Sequence, residues 1–306
     1  MQRIHVSQRL ALPIKGHSDI DFVDVAVNDD TQLFVDACLI EVWKDAFSLH
    51  CQQVIQDYFE CLCQTFKESR YNLNILYHLG ERNEARLGYG SGTNGKAKTP
   101  EGMSDTLRDL HVLIASGIPL DGLIDIPVMM PRFAEDCMSD MLINILYKPF
   151  SEFTLAQCEK YGIPTEHAKT PRHYWDETTH TWKVYEGESL IIDGKVILLI
   201  PKWYVTPRFL YSTSHFFMSK IAIILQKERT HVLSGKRVVP SKAEIRKDEC
   251  QLFGSMVNAT RHHTQKIPNL LFDYHQRLKV EYQDRAMSDK ELDKQVYGLL
   301  DEETVA

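Results

Sequence analysis

The chain has 306 residues, of which 43% are hydrophobic, 25% charged and 10% aromatic, with 15 glycines and 12 prolines. This composition is typical of an ordinary globular protein and excludes a disordered chain, a collagen and a coiled coil. The formal net charge is −7 at pH 7, which excludes a uniformly basic protein.

We expect a cytoplasmic protein without a membrane anchor. Residues 1–10 contain no apolar stretch of the kind that a secretory signal requires. The longest apolar stretches, residues 190–201 and 216–225, fall short of the roughly 20 residues of a membrane-spanning helix. The seven cysteines are scattered and odd in number, which favours free thiols.

In the first third of the chain, the pattern predicts two strands followed by helices. Residues 20–27 and 32–40 alternate apolar and polar side chains on either side of a polar turn, which is typical of a hairpin. Residues 45–68 have apolar side chains at intervals of three and four, which predicts a long amphipathic helix. A shorter helix is predicted over 104–116, where Gly117 follows as a stop signal.

The middle of the chain predicts one strand and two helices. Residues 123–130 form a short apolar run, which favours a strand. Ser139 is placed as the N-cap of a helix over 140–147. Pro149 is expected to break this helix, and a second helix follows over 151–161.

The last third predicts a hairpin followed by helices. Residues 188–192 and 195–200 flank Asp193-Gly194, a strong signal for a tight hairpin turn. A long helix is expected to start at Thr206-Pro207 and to run to about residue 229. The last 50 or so residues are expected to be mostly helical.

These elements predict an α/β protein, with α+β as the alternative: a mixed sheet flanked by long helices, for which a PD-(D/E)XK-like core is a candidate. We expect a main domain over 1–250, including the glycine-rich loop 88–102, and a helical C-terminal extension over 251–306.

The charge is distributed unevenly along the chain. Residues 17–45 contain eight acidic residues and one lysine, whereas residues 201–247 contain ten basic and two acidic residues. A basic stretch of this kind can neutralise phosphates, and its aromatic residues can stack on bases. The alternative is that the two blocks face solvent or each other. The candidate nucleic-acid-binding residues are Arg208, Lys236, Arg237, Lys242, Arg246 and Lys247.

The glycine-rich segment has the spacing of a phosphate-binding loop. Five of the fifteen glycines lie between residues 88 and 102, and Gly90 to Lys96 match the pattern G-x-x-x-x-G-K. Ala97 replaces the hydroxyl residue that would bind Mg²⁺, so a surface loop that a polyanion orders is the alternative. The candidate phosphate-loop residues are Gly90, Gly92, Gly95 and Lys96.

Carboxylates are concentrated beside a predicted strand end and helix start. Asp136, Asp140 and Glu84 are candidate ligands of Mg²⁺, because hard divalent cations prefer oxygen ligands. Lys202, at the exit of a buried strand, is the candidate lysine that would assist a water molecule, so Asp140, Glu84 and Lys202 form the predicted catalytic set. The alternative is that an Asp in the first turn of a helix only stabilises the helix dipole.

Three further patterns do not favour a site. Asp193-Gly194-Lys195 contains a D-x-K sequence, but turn chemistry explains it. Cys61 and Cys63 lack the second pair of a zinc site. The histidines at 167, 173 and 180 match no standard zinc spacing.

Most of the chain resembles an uncharacterised family of bacterial proteins associated with anti-phage defence loci. The segments that carry the resemblance are Asp29-Asp30-Thr31-Gln32-Leu33-Phe34-Val35-Asp36, Glu81 to Gly95, Ser139-Asp140-Met141 through Gln157-Cys158, Tyr161-Gly162-Ile163-Pro164 and Leu198-Leu199-Ile200-Pro201-Lys202. Where that family reads G-x-D-R-x-S-D, this chain has Asp136, Ser139 and Asp140 but no preceding arginine. The resemblance implies a bacterial cytoplasmic defence protein, either a nuclease-type effector or a subunit that works beside an ATPase.

The sequence therefore predicts an antiviral defence protein that is a Mg²⁺-dependent nuclease, a hydrolase of phosphodiester bonds in DNA or RNA. The first alternative is a non-catalytic nucleic-acid-binding subunit of a larger defence complex. The second is a nucleotide sensor that uses the glycine-rich loop.

Overall fold

The computed structural model describes residues 3–67, 73–89, 110, 112–130, 133 and 135–298. The predicted phosphate-loop residues Gly90, Gly92, Gly95 and Lys96 lie outside these residues. Within the described ranges, no helix combines the length and the apolar composition that crossing a bilayer requires.

Helices make up most of the regular structure. Their bounds are α1 (Val6–Arg9), α2 (Ala37–Val42), α3 (Ala46–Lys67), α4 (Asp125–Met129), α5 (Glu135–Ile145), α6 (Tyr147–Tyr161), α7 (Thr213–Phe216), α8 (Ala222–Arg229), α9 (Lys242–Phe253), α10 (Met256–Lys266), α11 (Leu270–Glu281) and α12 (Asp289–Tyr297). Short 3₁₀ turns cover His17–Asp19, Leu73–Leu76 and Lys202–Tyr204, and a π-helical turn, Phe217–Ile221, joins α7 to α8.

The strands are short and pair in an antiparallel manner. They are β1 (Phe34–Val35), β2 (Glu166–His167), β3 (Arg172–Asp176), β4 (Thr181–Tyr185), β5 (Glu188–Ile192), β6 (Lys195–Ile197), β7 (Val205–Thr206), β8 (His231–Leu233) and β9 (Lys236–Val238). In the described part of the chain they form the sheets β1-β7, β2-β5-β6, β3-β4 and β8-β9. The predicted class of mixed helices and strands is confirmed, in its α+β form. A PD-(D/E)XK-like core stays a prediction.

One hydrophobic core connects the N-terminal and C-terminal parts of the chain. It includes Tyr58 of α3, Met141 of α5, Leu199 before β7, and Tyr274 and Leu278 of α11. The boundary that the sequence suggested at residue 250 falls inside α9, and the helices that follow it pack into the same core as the rest.

The predicted N-terminal hairpin is wrong. Residues 20–27 form only isolated bridges, Phe22 with Pro201 and Ala26 with His5, and β1 pairs with β7. Residues 37–42 form α2 instead of a strand. The cause is Asp36, whose side chain accepts a hydrogen bond of 2.9 Å from the Cys38 N–H and thereby caps the helix.

The strand predicted over residues 123–130 is wrong, since α4 forms there with Pro127 in its first turn. The predicted break between two helices near Pro149 is confirmed, but it falls at Leu146, so that Pro149 lies in the first turn of α6. The first turn tolerates proline because its backbone N–H groups have no partner within the helix.

Contacts with distant parts of the chain explain why helices α5 and α7 begin at residues other than those predicted. Ser139 is not an N-cap: it is buried within α5, and its hydroxyl accepts a 2.9 Å hydrogen bond from the Val35 N–H. The helix predicted from Thr206 begins at Thr213, because Thr206 pairs with Phe34 in the β1-β7 sheet and Ser212 supplies the cap.

Two predicted elements with strong signals in the local sequence, the β5-β6 hairpin and helix α3, are confirmed. The hairpin β5-β6 turns at Asp193 and Gly194, which have φ values of 51° and 74° and so adopt the left-handed conformation of a tight turn. Helix α3 matches the predicted amphipathic helix to within one residue at each end. The helix predicted over 104–116 is described only in part, and there residues 112–115 are helical.

Asp36 joins three parts of the fold. Besides capping α2, its carboxylate accepts a 2.8 Å hydrogen bond from the Tyr282 hydroxyl, and that hydroxyl accepts one of 3.1 Å from the Leu210 N–H. Asp36 is fully buried, and burial raises its pKa to about 7 although Tyr282 and Cys38 oppose the shift. The fold therefore holds this carboxyl group in a buried position, where its ionised form is disfavoured.

This burial predicts a pH dependence of stability. Because the pKa of Asp36 is higher in the folded state than in the unfolded state, its contribution is fully present below about pH 4 and is lost as the pH rises through about 7. Asp36→Asn should remove this part of the dependence, which amounts to about 1.4 kcal/mol for each unit of pKa difference. Urea unfolding midpoints of both proteins between pH 4.5 and 7.5 measure it. Parallel curves would show that Asp36 is not the group responsible.

Candidate functional site

The segment from Gly80 to Gly88 crosses helix α5 and is fixed by hydrogen bonds at both ends. Near its start, the Asn144 side-chain amide donates to the Gly80 carbonyl at 2.7 Å. Near its end, the Thr31 N–H donates to the Arg86 carbonyl at 2.8 Å, and the Gly88 N–H donates to the Thr31 carbonyl at 3.0 Å. These contacts hold the charged side chains of this segment in defined positions.

Arg82 attaches this segment to helices α5 and α6 and to strand β3. Its guanidinium donates to the Asn144 side-chain oxygen and, at 3.2 Å, to the His173 carbonyl of β3. It also lies over the Tyr147 ring, with 5.2 Å between the guanidinium carbon and the ring centre. Burial lowers the pKa of this arginine, although Glu84 and Tyr147 oppose the shift. The partly buried cation is therefore satisfied by directed contacts rather than by solvent.

Four carboxylates converge between this segment, α5 and the turn before β1; we call Asp30, Glu81, Asp136 and Asp140 the carboxylate cluster. Burial raises the pKa of Asp140 well above its usual range, and the charges of Asp136, Glu81 and Asp30 raise it further. Burial also raises the pKa of Glu81, with Asp30 and Asp136 adding to the shift. Burial and mutual repulsion therefore disfavour the ionised forms of Asp140 and Glu81.

Gly88 allows the chain to approach this cluster. Its φ is 132°, and a Cβ atom added there would lie 2.9 Å from a carboxylate oxygen of Asp136. Any side chain at this position would therefore collide with Asp136 in a backbone conformation that glycine alone adopts easily. The start of the glycine-rich segment thus lies directly against the carboxylates.

A cleft of about 710 Å³ opens beside the cluster and is lined mainly by charged side chains. Glu81 lines it and also belongs to the cluster. Its basic residues are Arg82, Arg86, Lys169, Arg172 and Lys195. Its acidic residues are Glu81, Glu84 and Glu166, so the cleft combines carboxylates with an excess of basic side chains. This combination suits a phosphate-containing ligand with a bound cation.

Arg86 is a cleft residue with an incomplete set of hydrogen bonds. Its φ is 53°, in the left-handed region, and its Nε atom is buried without a hydrogen-bond partner among the described residues. A terminal nitrogen of Arg86 lies 4.0 Å from a carboxylate oxygen of Asp30. Buried donors without a partner are uncommon in folded proteins.

The structure brings together some of the predicted catalytic residues but not all. Asp136 and Asp140 belong to the cluster, whereas Glu84 forms an ion pair with Arg172 on the wall of the cleft. Lys202 lies elsewhere: its amine donates to the His17 carbonyl at 2.6 Å and pairs with Asp289 of α12 at 2.6 Å. The predicted lysine therefore holds the N-terminal segment against the last helix.

Four of the predicted basic residues, Lys236, Arg237, Arg246 and Lys247, are exposed, and we call them the basic protrusion. Lys236 and Arg237 lie on the exposed hairpin β8-β9, and Arg246 and Lys247 are exposed on α9. Lys242 differs, because its amine donates to the Met218 carbonyl at 3.2 Å.

The remaining basic candidate, Arg208, lies near the site, since its charge acts on the Tyr89 hydroxyl beside the cluster. Acidic residues of the stretch 17–45 form ion pairs with other parts of the chain, for example Asp21 with Lys160 and Asp29 with Arg3. These ion pairs do not involve the basic stretch 201–247.

Sequence reasoning missed Asp30, Glu81 and Arg82 as site residues. It also set aside Cys61 and His180, which the fold brings beside Asp57. In the described part of the chain, these three are the set whose potential metal-binding atoms all lie within 4.8 Å of one another; the carboxylate cluster is not so tightly assembled. The spacing of four between Asp57 and Cys61 on α3 is a signal that could have paired those two, but no spacing joins them to His180, which comes from a separate element.

Comparison with known proteins gives one match. A family model described as a domain of unknown function, DUF8370, matches residues 12–212, which include the carboxylate cluster and the cleft. No curated protein and no solved structure matches the chain.

The raised pKa of Asp140 predicts that this carboxylate destabilises the protein at neutral pH in the absence of cations. Asp140→Asn should raise Tm in EDTA at pH 7.5, by about 2–4 °C for each kcal/mol relieved. The asparagine oxygen can still accept the hydrogen bond from the Arg82 N–H. Mg²⁺ or Mn²⁺ should raise the Tm of the unmodified protein more than that of the variant.

The matched control is Asp193→Asn, since Asp193 is an exposed aspartate of the β5-β6 turn that pairs with Arg9. It should respond to the cation as the unmodified protein does. Equal cation responses in Asp140→Asn and the unmodified protein would exclude Asp140 as a cation ligand.

Proposed function

The chain belongs to the DUF8370 family, a domain of unknown function, and we propose that it is a divalent-cation-dependent phosphodiesterase that cleaves nucleic acid. The resemblance to proteins of anti-phage defence loci supports a role in bacterial antiviral defence, in the cytoplasm. The observation that carries the proposal is the cleft that joins the carboxylate cluster to a wall of arginines and lysines.

The chemistry of the cluster fits a hard divalent cation. All its donors are carboxylate oxygens, which Mg²⁺ prefers, and their mutual repulsion would be relieved by a cation. Mg²⁺ keeps several waters and commonly binds through one or two protein carboxylates together with substrate phosphate, so a preassembled set of three oxygens is not required. Asp136 and Asp140 are the ligands we propose, with Glu81 at the edge of the cleft. When bound, the cation would polarise a phosphoryl oxygen and lower the pKa of a bound water.

The arginines of the cleft would hold the phosphate. A guanidinium presents paired donors that match phosphate oxygens, and Arg86 and Arg172 both line the cleft. Arg172 is held in place by Glu84, so its remaining donors keep a fixed direction. Because Glu81 lines the cleft as well as belonging to the cluster, a phosphate bound there lies next to the carboxylates.

The exposed basic protrusion supports nucleic acid as the substrate. Lys236 and Arg237 on hairpin β8-β9 carry no carboxylate partner in the described structure and are free to contact a phosphate backbone. Contacts of this kind would make binding depend steeply on salt.

One observation favours a second candidate, a nucleic-acid-binding subunit without catalytic activity that works beside an ATPase or another defence protein. Lys202 is occupied by Asp289 and His17, so the lysine expected to assist the attacking water does not reach the carboxylates. A binding subunit would need the basic protrusion and the arginines but not the cluster.

We expect the purified protein to cleave plasmid DNA or RNA with Mg²⁺ and not with EDTA. Asp140→Asn should lower the cleavage rate by about 100-fold or more, since a cation contributes several kcal/mol of transition-state stabilisation. Gel assays with supercoiled plasmid, single-stranded DNA and RNA measure the rates, and circular dichroism confirms that the variant is folded.

Asp193→Asn is the control for the charge change and should cleave as the unmodified protein does. Lys202→Met should also keep the activity, provided that it folds, because its amine lies away from the cluster. Salt-dependent binding without any Mg²⁺-dependent cleavage would favour the binding subunit. Cleavage that Asp140→Asn leaves intact would place the catalytic centre elsewhere.

A further inference from the structure

A second cluster of potential metal ligands lies beside Trp175 of β3 and is independent of the proposed function. Asp57 and Cys61 are one turn apart on α3, so their side chains share one face of the helix. His180 ends the loop between β3 and β4 and comes to the same place. An imidazole nitrogen, the thiol sulfur and a carboxylate oxygen of these residues all lie within 4.8 Å of one another.

Neighbouring side chains orient two of these ligands. The Trp175 indole N–H donates to one oxygen of Asp57 at 2.7 Å, and the other oxygen lies 2.8 Å from Nδ1 of His180. The loop that carries His180 is held to α3 a second time, through a 3.0 Å contact between His50 and Glu177. His180 itself has a φ of 52°, a conformation in which histidine is one of the more common non-glycine residues.

We propose that Asp57, Cys61 and His180 bind a transition-metal ion, with Zn²⁺ as the ion that fits best. Sulfur, nitrogen and oxygen donors together suit a borderline ion such as Zn²⁺, whereas Mg²⁺ and Ca²⁺ prefer oxygen alone. Zinc bonds of about 2.0–2.3 Å at tetrahedral angles separate the ligand atoms by about 3.3–3.7 Å. Side-chain rotations alone can bring atoms within 4.8 Å of one another to that spacing.

The site has room for a fourth ligand. A cleft of about 820 Å³ opens onto the three residues, and its walls also include Tyr77 and His78. Three protein ligands with one position open to solvent are typical of catalytic rather than structural zinc sites. The thiol of Cys61 releases its proton to the buffer on binding, and bonds to the metal replace the contact between His180 and Asp57.

The position of Cys61 separates this proposal from a simpler explanation. The contact between His180 and Asp57 could serve only to fasten the β3-β4 hairpin to α3. That role does not involve Cys61, so substitution of the thiol should leave the hairpin in place while removing a metal ligand. Cys63 lies two residues further along the same helix and is not one of the three ligands, which makes it a matched control.

Cobalt titration of the full chain, with a phosphine reductant, tests the site. Co²⁺ bound by a thiolate gives a near-ultraviolet charge-transfer band, and we expect one equivalent to bind and Zn²⁺ to displace it. Cys61→Ser should lose the band, His180→Ala should weaken binding at least about tenfold, and Cys63→Ser should match the unmodified protein. His50→Gln, which loosens the hairpin without removing a ligand, should keep the band.

Tm in EDTA shows whether each variant is folded, and Zn²⁺ should raise the Tm of the unmodified protein and of Cys63→Ser but not that of Cys61→Ser. The absence of a charge-transfer band in the unmodified protein would overturn the proposal. A band that persists in Cys61→Ser, or that Cys63→Ser loses equally, would overturn it as well. None of these readouts depends on nucleic-acid cleavage, so this proposal and the proposed phosphodiesterase can fail separately.

Discussion

The contacts of the Arg82 guanidinium are the interaction on which the proposed phosphodiesterase site depends. A cation that is partly removed from water must be paired or hydrogen-bonded, and Arg82 meets this requirement with Asn144 of α5, the His173 carbonyl of β3 and the face of Tyr147. These partners belong to elements that are distant in sequence. By joining them, Arg82 fixes the chain on either side of it, so that Glu81 lies with the carboxylates and Glu84 faces Arg172.

Two buried aspartates show how a structural carboxylate differs from a candidate ligand. Asp36 is buried, but it receives hydrogen bonds from the Cys38 N–H and the Tyr282 hydroxyl, and these explain its place in the fold. Asp140 accepts a hydrogen bond of 3.4 Å from the Arg82 N–H and lies among like charges. Carboxylates whose pKa is strongly shifted by burial and neighbouring charges are concentrated at functional sites.

Strand β3 contacts residues of both proposed sites. Its His173 carbonyl accepts a hydrogen bond from Arg82, and its Trp175 indole donates one to Asp57. The same short hairpin thus supports an oxygen-rich cluster suited to a hard cation and a mixed cluster suited to a softer one. Because the donor types differ, each cluster should select its own ion even if both ions are present.

Local sequence determined the elements whose signals lie within a few residues. The Asp193-Gly194 turn and the amphipathic helix α3 followed from turn chemistry and apolar spacing. The same reasoning failed at α4, because a short apolar run is compatible with a strand or with a buried helix until its packing is known.

Of the proposed phosphodiesterase site, the sequence by itself supplied Asp136 and Asp140 as candidate ligands, together with the basic character of residues 201–247. Tertiary structure decided the rest. It brought Asp30 and Glu81 to Asp140, turned Glu84 toward Arg172 and placed Lys202 against Asp289. It also joined Cys61 to His180, which no spacing rule connects. The physical reason is that helices and turns form from interactions between near neighbours, whereas a site forms from side chains that meet only after the core has packed.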